Sequence, residues 1–268
     1  HSDAQRQRDL SQADDRPHCL PDVRLARRDD LVDERADDED RGAAQEPLQL
    51  QAALASMVPP PVFGALLDAT ILRNVIAQAG AAGYEFKIGI ELEYFLVQLN
   101  ADGTIEIADK LDTLEKPCYD MAGLTRQYDF LTTVSRYCND LGWGNYANDH
   151  EDANGQFEQN FEYDNALVSA DRAIFFRYMV HTLAEQYGRI ATFMPKPFTT
   201  LTGNGCHFHM SLWKDGVNVF LDESDGRGLG LSELAYNFVG GLKTHARAYS
   251  ALTAPTVNSY KRLKLGST

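Results

Sequence analysis

Three stretches of this chain alternate apolar and polar side chains with a period of two, and no other feature limits the possible folds so sharply. They are KIGIELEYFLV (87–97), QFEQNFEY (156–163) and CHFHMSL (206–212). Successive side chains of a strand point to opposite faces. In the first stretch Ile88, Ile90, Leu92, Tyr94 and Leu96 therefore share one face, and Glu91 and Glu93 share the other. In the second, Phe157, Phe161 and Tyr163 oppose Gln156, Glu158, Asn160 and Glu162; in the third, Cys206, Phe208, Met210 and Leu212 oppose His207, His209 and Ser211. Each stretch predicts a strand with one packing face and one chemically equipped face.

Two carboxylates in line on one strand face repel each other unless a cation lies between them. Taken alone, Glu91 and Glu93 read as a solvent-facing acidic edge, and an isolated HxH reads more often as a polar face than as a ligand site. A further acidic group stands in DHEDANGQFE, where Glu151 precedes a turn containing Gly155 and Glu158 enters the next strand. Hard cations such as Mg²⁺ and Mn²⁺ favour carboxylate oxygen, and Mn²⁺ accepts imidazole more readily. Four glutamates and one histidine thus predict a two-metal site, of the kind that clamps the terminal phosphates of a nucleotide during phosphoryl transfer. Gly203 and Gly205 leave the backbone free to approach a ligand closely. No GxxxxGK[ST] is present, nor a GxGxxG after a strand, so a nucleotide would have to lie on the sheet face.

The rest of the chain falls into two unlike parts. Residues 1–62 contain no Phe, Tyr, Trp or Lys and include the run RLARRDDLVDERADDEDR. That composition cannot bury a core, and residues 1–61 are expected to be a disordered acidic, Arg-rich tail or foreign sequence. From Val62 onward helices are expected near 66–82, with Leu67, Ile71, Val75 and Ile76 at helical spacing, and near 125–141. Two more are expected from an Asp164 or Asn165 cap through Tyr187, with apolar positions Leu167, Ala170, Ile174, Tyr178 and Leu183, and from about Ser232 to Leu252. ATFMPKPF (191–198) reads as a short strand closed by prolines. The order is neither βαβ nor repetitive, which predicts an α+β fold with a mainly antiparallel sheet.

The net charge of −14 opposes nucleic acid or an anionic membrane as partner, since both demand clustered basic residues. Cysteines at 19, 118, 138 and 206 form no CxxC pair and read as reduced cytoplasmic thiols. No apolar run reaches the roughly 20 residues of a membrane span, and no signal-peptide core opens the chain.

In order along the chain, ELE (91–93), HEDANGQFE (150–158), ATFMPKPF, TGNGCHFHMSL (202–212) and NSYKRL (258–263) resemble the catalytic domain of the glutamine synthetase family. DTLEKPCYD (112–120) and APTVNSYKRL (254–263) look most like its type III branch, which includes γ-glutamylmethylamide synthetases. The resemblance covers about residues 62–268. It implies a curved sheet with flanking helices and an ATP-dependent ligase that joins glutamate to ammonia, or to a small amine, through γ-glutamyl phosphate. By the family pattern Glu93, Glu151 and Glu158 would hold one Mg²⁺ or Mn²⁺ and Glu91 and His207 another. His209 and Ser211 would meet ATP, Gly203 the substrate glutamate, Arg262 the substrate carboxylate, and Tyr119 would border the ammonium site. The resemblance also implies a homo-oligomeric ring in the intact parent. The family's small N-terminal domain has no counterpart in residues 1–61, and the later substrate arginines and last metal-binding glutamate do not follow KRL. The chain is therefore expected to be a truncated fragment with little or no synthetase activity alone. Thr202 stands where well-known bacterial members have Asn, which leaves the choice of amine open.

Overall fold

The structure is a computed structural model that describes residues 63–263, with side-chain environments from residue 70 onward. The tail expected over residues 1–61 lies outside the described residues.

One long strand organises everything else. β1 (Glu85–Leu99) pairs with β2 (Ile105–Ile107), β4 (Gln156–Phe161), β5 (Asp164–Asn165), β6 (Ile190–Thr192) and β7 (Cys206–Lys214). β3 (Asn145–His150) extends the sheet beyond β4, and β8 (Val217–Asn218) extends it beyond β7, so the main order is β3-β4-β1-β7-β8. All pairings between these strands are antiparallel. The helices are α1 (Phe63–Ala81), α2 (Met121–Arg126), α3 (Tyr128–Asp140), α4 (Ala166–Gln186), α5 (Glu233–Thr253) and α6 (Val257–Arg262). This is the expected α+β architecture, an antiparallel sheet flanked by helices.

The even-numbered face of β1 makes the core. Ile88, Ile90, Leu92, Tyr94 and Leu96 are buried with Phe130, Val134, Phe157, Phe176, Met179 and Leu183. Tyr94 touches Phe130 and Phe176 edge-on and donates its hydroxyl to Gln159 Oε1 at 2.7 Å, which satisfies its one polar group. Burying each such ring contributes about 2–3 kcal/mol.

Several helices differ from the expectation in detail. The helix expected at 125–141 is divided at Gln127 into α2 and α3; α2 is started by Asp120, whose carboxylate accepts from Ala122 N and Gly123 N. Asn165, one of the two expected caps, starts α4, and α5 begins where expected, with Ser232 capping it. α1 packs through Leu72 and Ile76, while Ile71 and Val75 are exposed. On α4, Phe176, Met179 and Val180 are buried and Ile174 is exposed. The expected stripe was set too far round the helix because Ala and Leu positions occur on several of its sides. The apolar face of β7 is also less covered than expected: Cys206 is exposed, Phe208 is 50% exposed, and Met210 reaches the core. β3 and α6 had no expectation. NYANDH has no β-branched residue to mark it as a strand, and its ladder with β4 forms it.

Candidate metal and active site

The strand registers assemble the acidic site. Glu91 on β1 stands directly opposite His207 on β7, and Glu93 on β1 stands directly opposite Glu158 on β4. The middle strand thus delivers two carboxylates and each neighbour adds one ligand type. One ligand atom each from Glu91, Glu158 and His207 lie within 4.8 Å of one another. Glu91 also reaches both histidines, with Oε2 3.4 Å from His207 Nδ1 and Oε1 3.0 Å from His209 Nε2. This trio cuts across the division into two ligand sets that the resemblance implies, with Glu91 and Glu158 close enough to serve one ion or to flank two.

Glu93 is held from behind. Its Oε2 accepts from Gln156 Nε2 at 2.8 Å and from Gly205 N at 2.9 Å. The fully buried Gln156 also accepts from Ala153 N and donates to Asn204 Oδ1 at 3.0 Å. Asn204 in turn donates to the carbonyls of Thr192 and Met194. Gln156 and Asn204 therefore lock the glycine loop, the ATFMP segment and Glu93 together. Alternation had put Gln156 on the correct face, but nothing in the sequence distinguished a buried amide from a solvated one.

Glu151 begins the turn after β3, and its amide donates to Gln156 O at 2.9 Å. Burial pushes its carboxyl up to about 7, with Glu93, Glu158, Asp149 and Asp152 adding to the effect. Burial raises Glu158 as well; the Asn160 amide, at 3.0 Å, opposes this and Glu91 and Glu93 add to it. Carboxyls crowded until they resist ionisation form a donor set suited to a cation, which would relieve both the burial cost and the mutual repulsion. Oxygen donors with one or two imidazoles fit Mg²⁺ and, better, Mn²⁺.

Arg262 comes up against the glycine loop beside Glu93. A Cβ on Gly205 would stand 2.6 Å from Glu93 Oε1 and 3.2 Å from Arg262 Nη2, and one on Gly203 would overlap Pro195 O and crowd Arg262 and Lys196. Both glycines are therefore demanded by close approach. Asn258 fixes α6 by pairing both ways with the Lys196 backbone, accepting from its amide at 2.6 Å and donating to its carbonyl at 2.9 Å.

His209 and Ser211 continue along β7 opposite Gly89 and Lys87. A cavity of about 750 Å³ runs beside them, lined by Lys87, Glu91, Tyr146, Tyr163 and His209 among others. Behind its Lys87 and Tyr163 wall, Trp213 stacks on Tyr163 with ring centroids 6.2 Å apart, Lys87 Nζ lies 4.3 Å from the Trp213 ring, and Trp213 Nε1 donates to Ser211 Oγ. The carboxylates Glu91, Glu162 and Asp164 share the cavity wall with Lys87, Tyr146 and Tyr163. Tyr119 is 71% exposed, with φ of 62°, and its amide donates to His150 O. Its phenol is raised by the negative potential of Cys118, Glu151 and Asp149, so it stands by the acidic turn.

The family model described as glutamine synthetase, catalytic domain, matches residues 69–268. A glutamine synthetase of Rhizobium leguminosarum bv. phaseoli is 51% identical over 195 residues, which are 72% of this chain and 44% of that protein. A glutamate–methylamine ligase of Methyloversatilis universalis is 46% identical over 196 residues, 73% of this chain and 44% of its own length. Among solved structures, a GmaS/ADP complex superposes with a TM-score of 0.69 at 52% identity, over 75% of this chain and 45% of that one. Glutamine synthetase of Plasmodium falciparum does so with a TM-score of 0.63 at 28% identity, over 74% of this chain and 44% of that one. The chain spans less than half the length of these relatives.

Proposed function

Given that the chain belongs to the glutamine synthetase family, through that family's catalytic domain, we propose that its reaction is the ATP-dependent ligation of glutamate and ammonia to glutamine. The observation that carries this reading is the paired register, Glu91 against His207 and Glu93 against Glu158, which gathers the acidic ligands on one sheet face.

Glu93, Glu151 and Glu158 would hold one Mg²⁺ or Mn²⁺, and Glu91 and His207 the other; such ions neutralise charge at a transferring phosphoryl group. ATP would lie in the cavity beside β7, its phosphates toward His209 and its nucleoside toward Ser211, Trp213 and Tyr163. Gly203 and Arg262 would receive glutamate, the planar guanidinium pairing with a carboxylate. A γ-carboxylate oxygen attacks the terminal phosphorus, the bond to the bridging oxygen breaks, and ADP leaves. The amine nitrogen then attacks the acyl carbon of γ-glutamyl phosphate, the carbon–oxygen bond breaks, phosphate leaves, and the nitrogen gives a proton to a base. Glu151 and Tyr119 would border the incoming amine, with the ionised Glu151 carboxylate attracting it. The same reading assigns residues 62–268 to the catalytic domain and a cytoplasmic homo-oligomeric ring to the assembled protein. Exposed Phe208, Leu252 and Tyr260 support burial against further polypeptide.

A second reading, with methylamine as nucleophile, is favoured by the similarity to GmaS and to the methylamine ligase. Phosphate release by a protein of the relatives' full length, measured with glutamate, ATP and either amine, separates the two: higher kcat/KM with ammonia is expected, and turnover with methylamine alone selects the second. A third outcome, binding of Mn²⁺ and ATP by titration calorimetry with no release from either amine, would make the chain a binding element without turnover.

A further inference from the structure

His150 is fully buried, and its ring joins parts of the chain that are distant in sequence. Nδ1 lies 2.8 Å from the carbonyl oxygen of Glu151, which can only accept, so Nδ1 carries a proton. Nε2 lies 2.8 Å from Asp112 Oδ2. That same carboxylate oxygen accepts from Gly155 N at 2.6 Å, and its partner Oδ1 accepts from Asn154 Nδ2 at 3.3 Å. The His150 carbonyl receives the Tyr119 amide at 2.8 Å. The edge of the ring packs against Phe157, and Gly123 of α2 lies so close to Cδ2 that any Cβ there would overlap it. The ring therefore joins Asp112, the Glu151 backbone and α2, Asp112 joins Gly155 at the other end of the turn, and the backbone of the same histidine holds Tyr119.

A buried ionic pair is weak evidence for stability, because apolar residues of similar volume serve a core as well or better. This pair has a more specific effect, since both things it anchors face the acidic site. We propose that His150 and Asp112 form a positioning pair that fixes Glu151 and Tyr119 relative to the sheet and so sets the site's affinity for its divalent cation. The inference rests on the reading of Glu151 as a cation ligand. An amide cannot replace Asp112: with its oxygen toward Gly155 N it leaves the imidazole without a counter-charge, and with its nitrogen there two donors face each other. Partners of this kind behind metal ligands are worth about 10–100-fold in affinity.

The test is Mn²⁺ titration of the full chain by calorimetry, together with urea unfolding. Asp112→Asn is expected to weaken Mn²⁺ binding by about tenfold. Asn154→Ala, which removes a contact to Asp112 but none to His150, is expected to change it less than twofold. Gly123→Ala supplies a variant that keeps every polar partner while pushing the ring aside. It improves helix propensity, so weaker Mn²⁺ binding there reports position and not helix stability. Unchanged Mn²⁺ affinity in folded Asp112→Asn or Gly123→Ala, with only the urea midpoint moved, would overturn the inference. So would a parent chain that binds no Mn²⁺, which would remove the metal site as well. Weakened binding in the variants, together with no amine-dependent turnover by a protein of the relatives' full length, would uphold the pair and reject the ligase reading alone.

Discussion

At the scale of single residues, Glu151 concentrates the electrostatics of the site. Its carboxyl is raised from an ordinary 4.5 to about 7. A carboxyl raised on folding is neutral in both states at low pH, and its burial begins to cost stability as pH climbs through 4.5 toward 7. A bound cation reverses that penalty but must displace the proton to do so. Mn²⁺ affinity is therefore expected to rise between pH 6 and 8 by up to about tenfold per unit below 7 and to level off above it. Calorimetry at pH 6 in two buffers of different ionisation enthalpy should show proton release; pH-independent affinity with no proton released would contradict it. The two equipped strand faces were legible in the sequence, because alternation alone puts Glu91 with Glu93 and His207 with His209, and the strand registers bring both pairs to one side of the sheet. Their partners were not. Gln156, Asn204, His150 and Asp112 are polar residues that composition assigns to the surface, and only the folded chain shows them buried and hydrogen-bonded behind the acidic face.

Among the elements, the helices show where periodicity has limits. α4 was legible in position and cap because Asn165 precedes a long apolar-rich run ending at Gly188. Its buried face was misplaced, since a helix with apolar residues on several sides has no single stripe to read. The division between α2 and α3 was not legible either: it depends on Gln127, whose side chain is buried in the folded chain. The contact between α4 and β1 gives a direct measure of this interface. Phe176 is fully buried against Tyr94, Phe161 and Phe193. Phe176→Ala is expected to lower unfolding free energy by about 3–5 kcal/mol, read from urea denaturation. Ile174→Ala, two residues earlier and on the exposed side of the helix, is expected to cost less than about 1 kcal/mol. Equal losses would mean that α4 packs by a different face.

For the molecule as a whole, the antiparallel α+β class was legible because three strands announce themselves by alternation and no βαβ rhythm intervenes. What the sequence could not disclose is how unevenly the sheet is covered. α3 and α4 seal the half of the sheet around Tyr94, while Phe208 on β7 remains half exposed and α5 buries only Ala235. Exposed aromatic surface of this kind favours association. Phe208→Ser is therefore expected to leave the urea midpoint nearly unchanged while reducing self-association of the chain, measured by light scattering across concentration. A large loss of stability with no change in association would show that Phe208 belongs to the core.

β1 also imposes a reading frame on the protein. Its partners grip the same uninterrupted backbone run, so over residues 88–94 the side that carries Glu91 and Glu93 and the side that packs into the main core are separated only by odd and even numbering. Deleting one residue near Gly89 would exchange the two sides for every position on one flank of the cut, presenting hydrocarbon where charge belongs. Natural variants should tolerate substitutions along this strand far more readily than changes in its length, with insertions confined to connections such as the 222–231 loop.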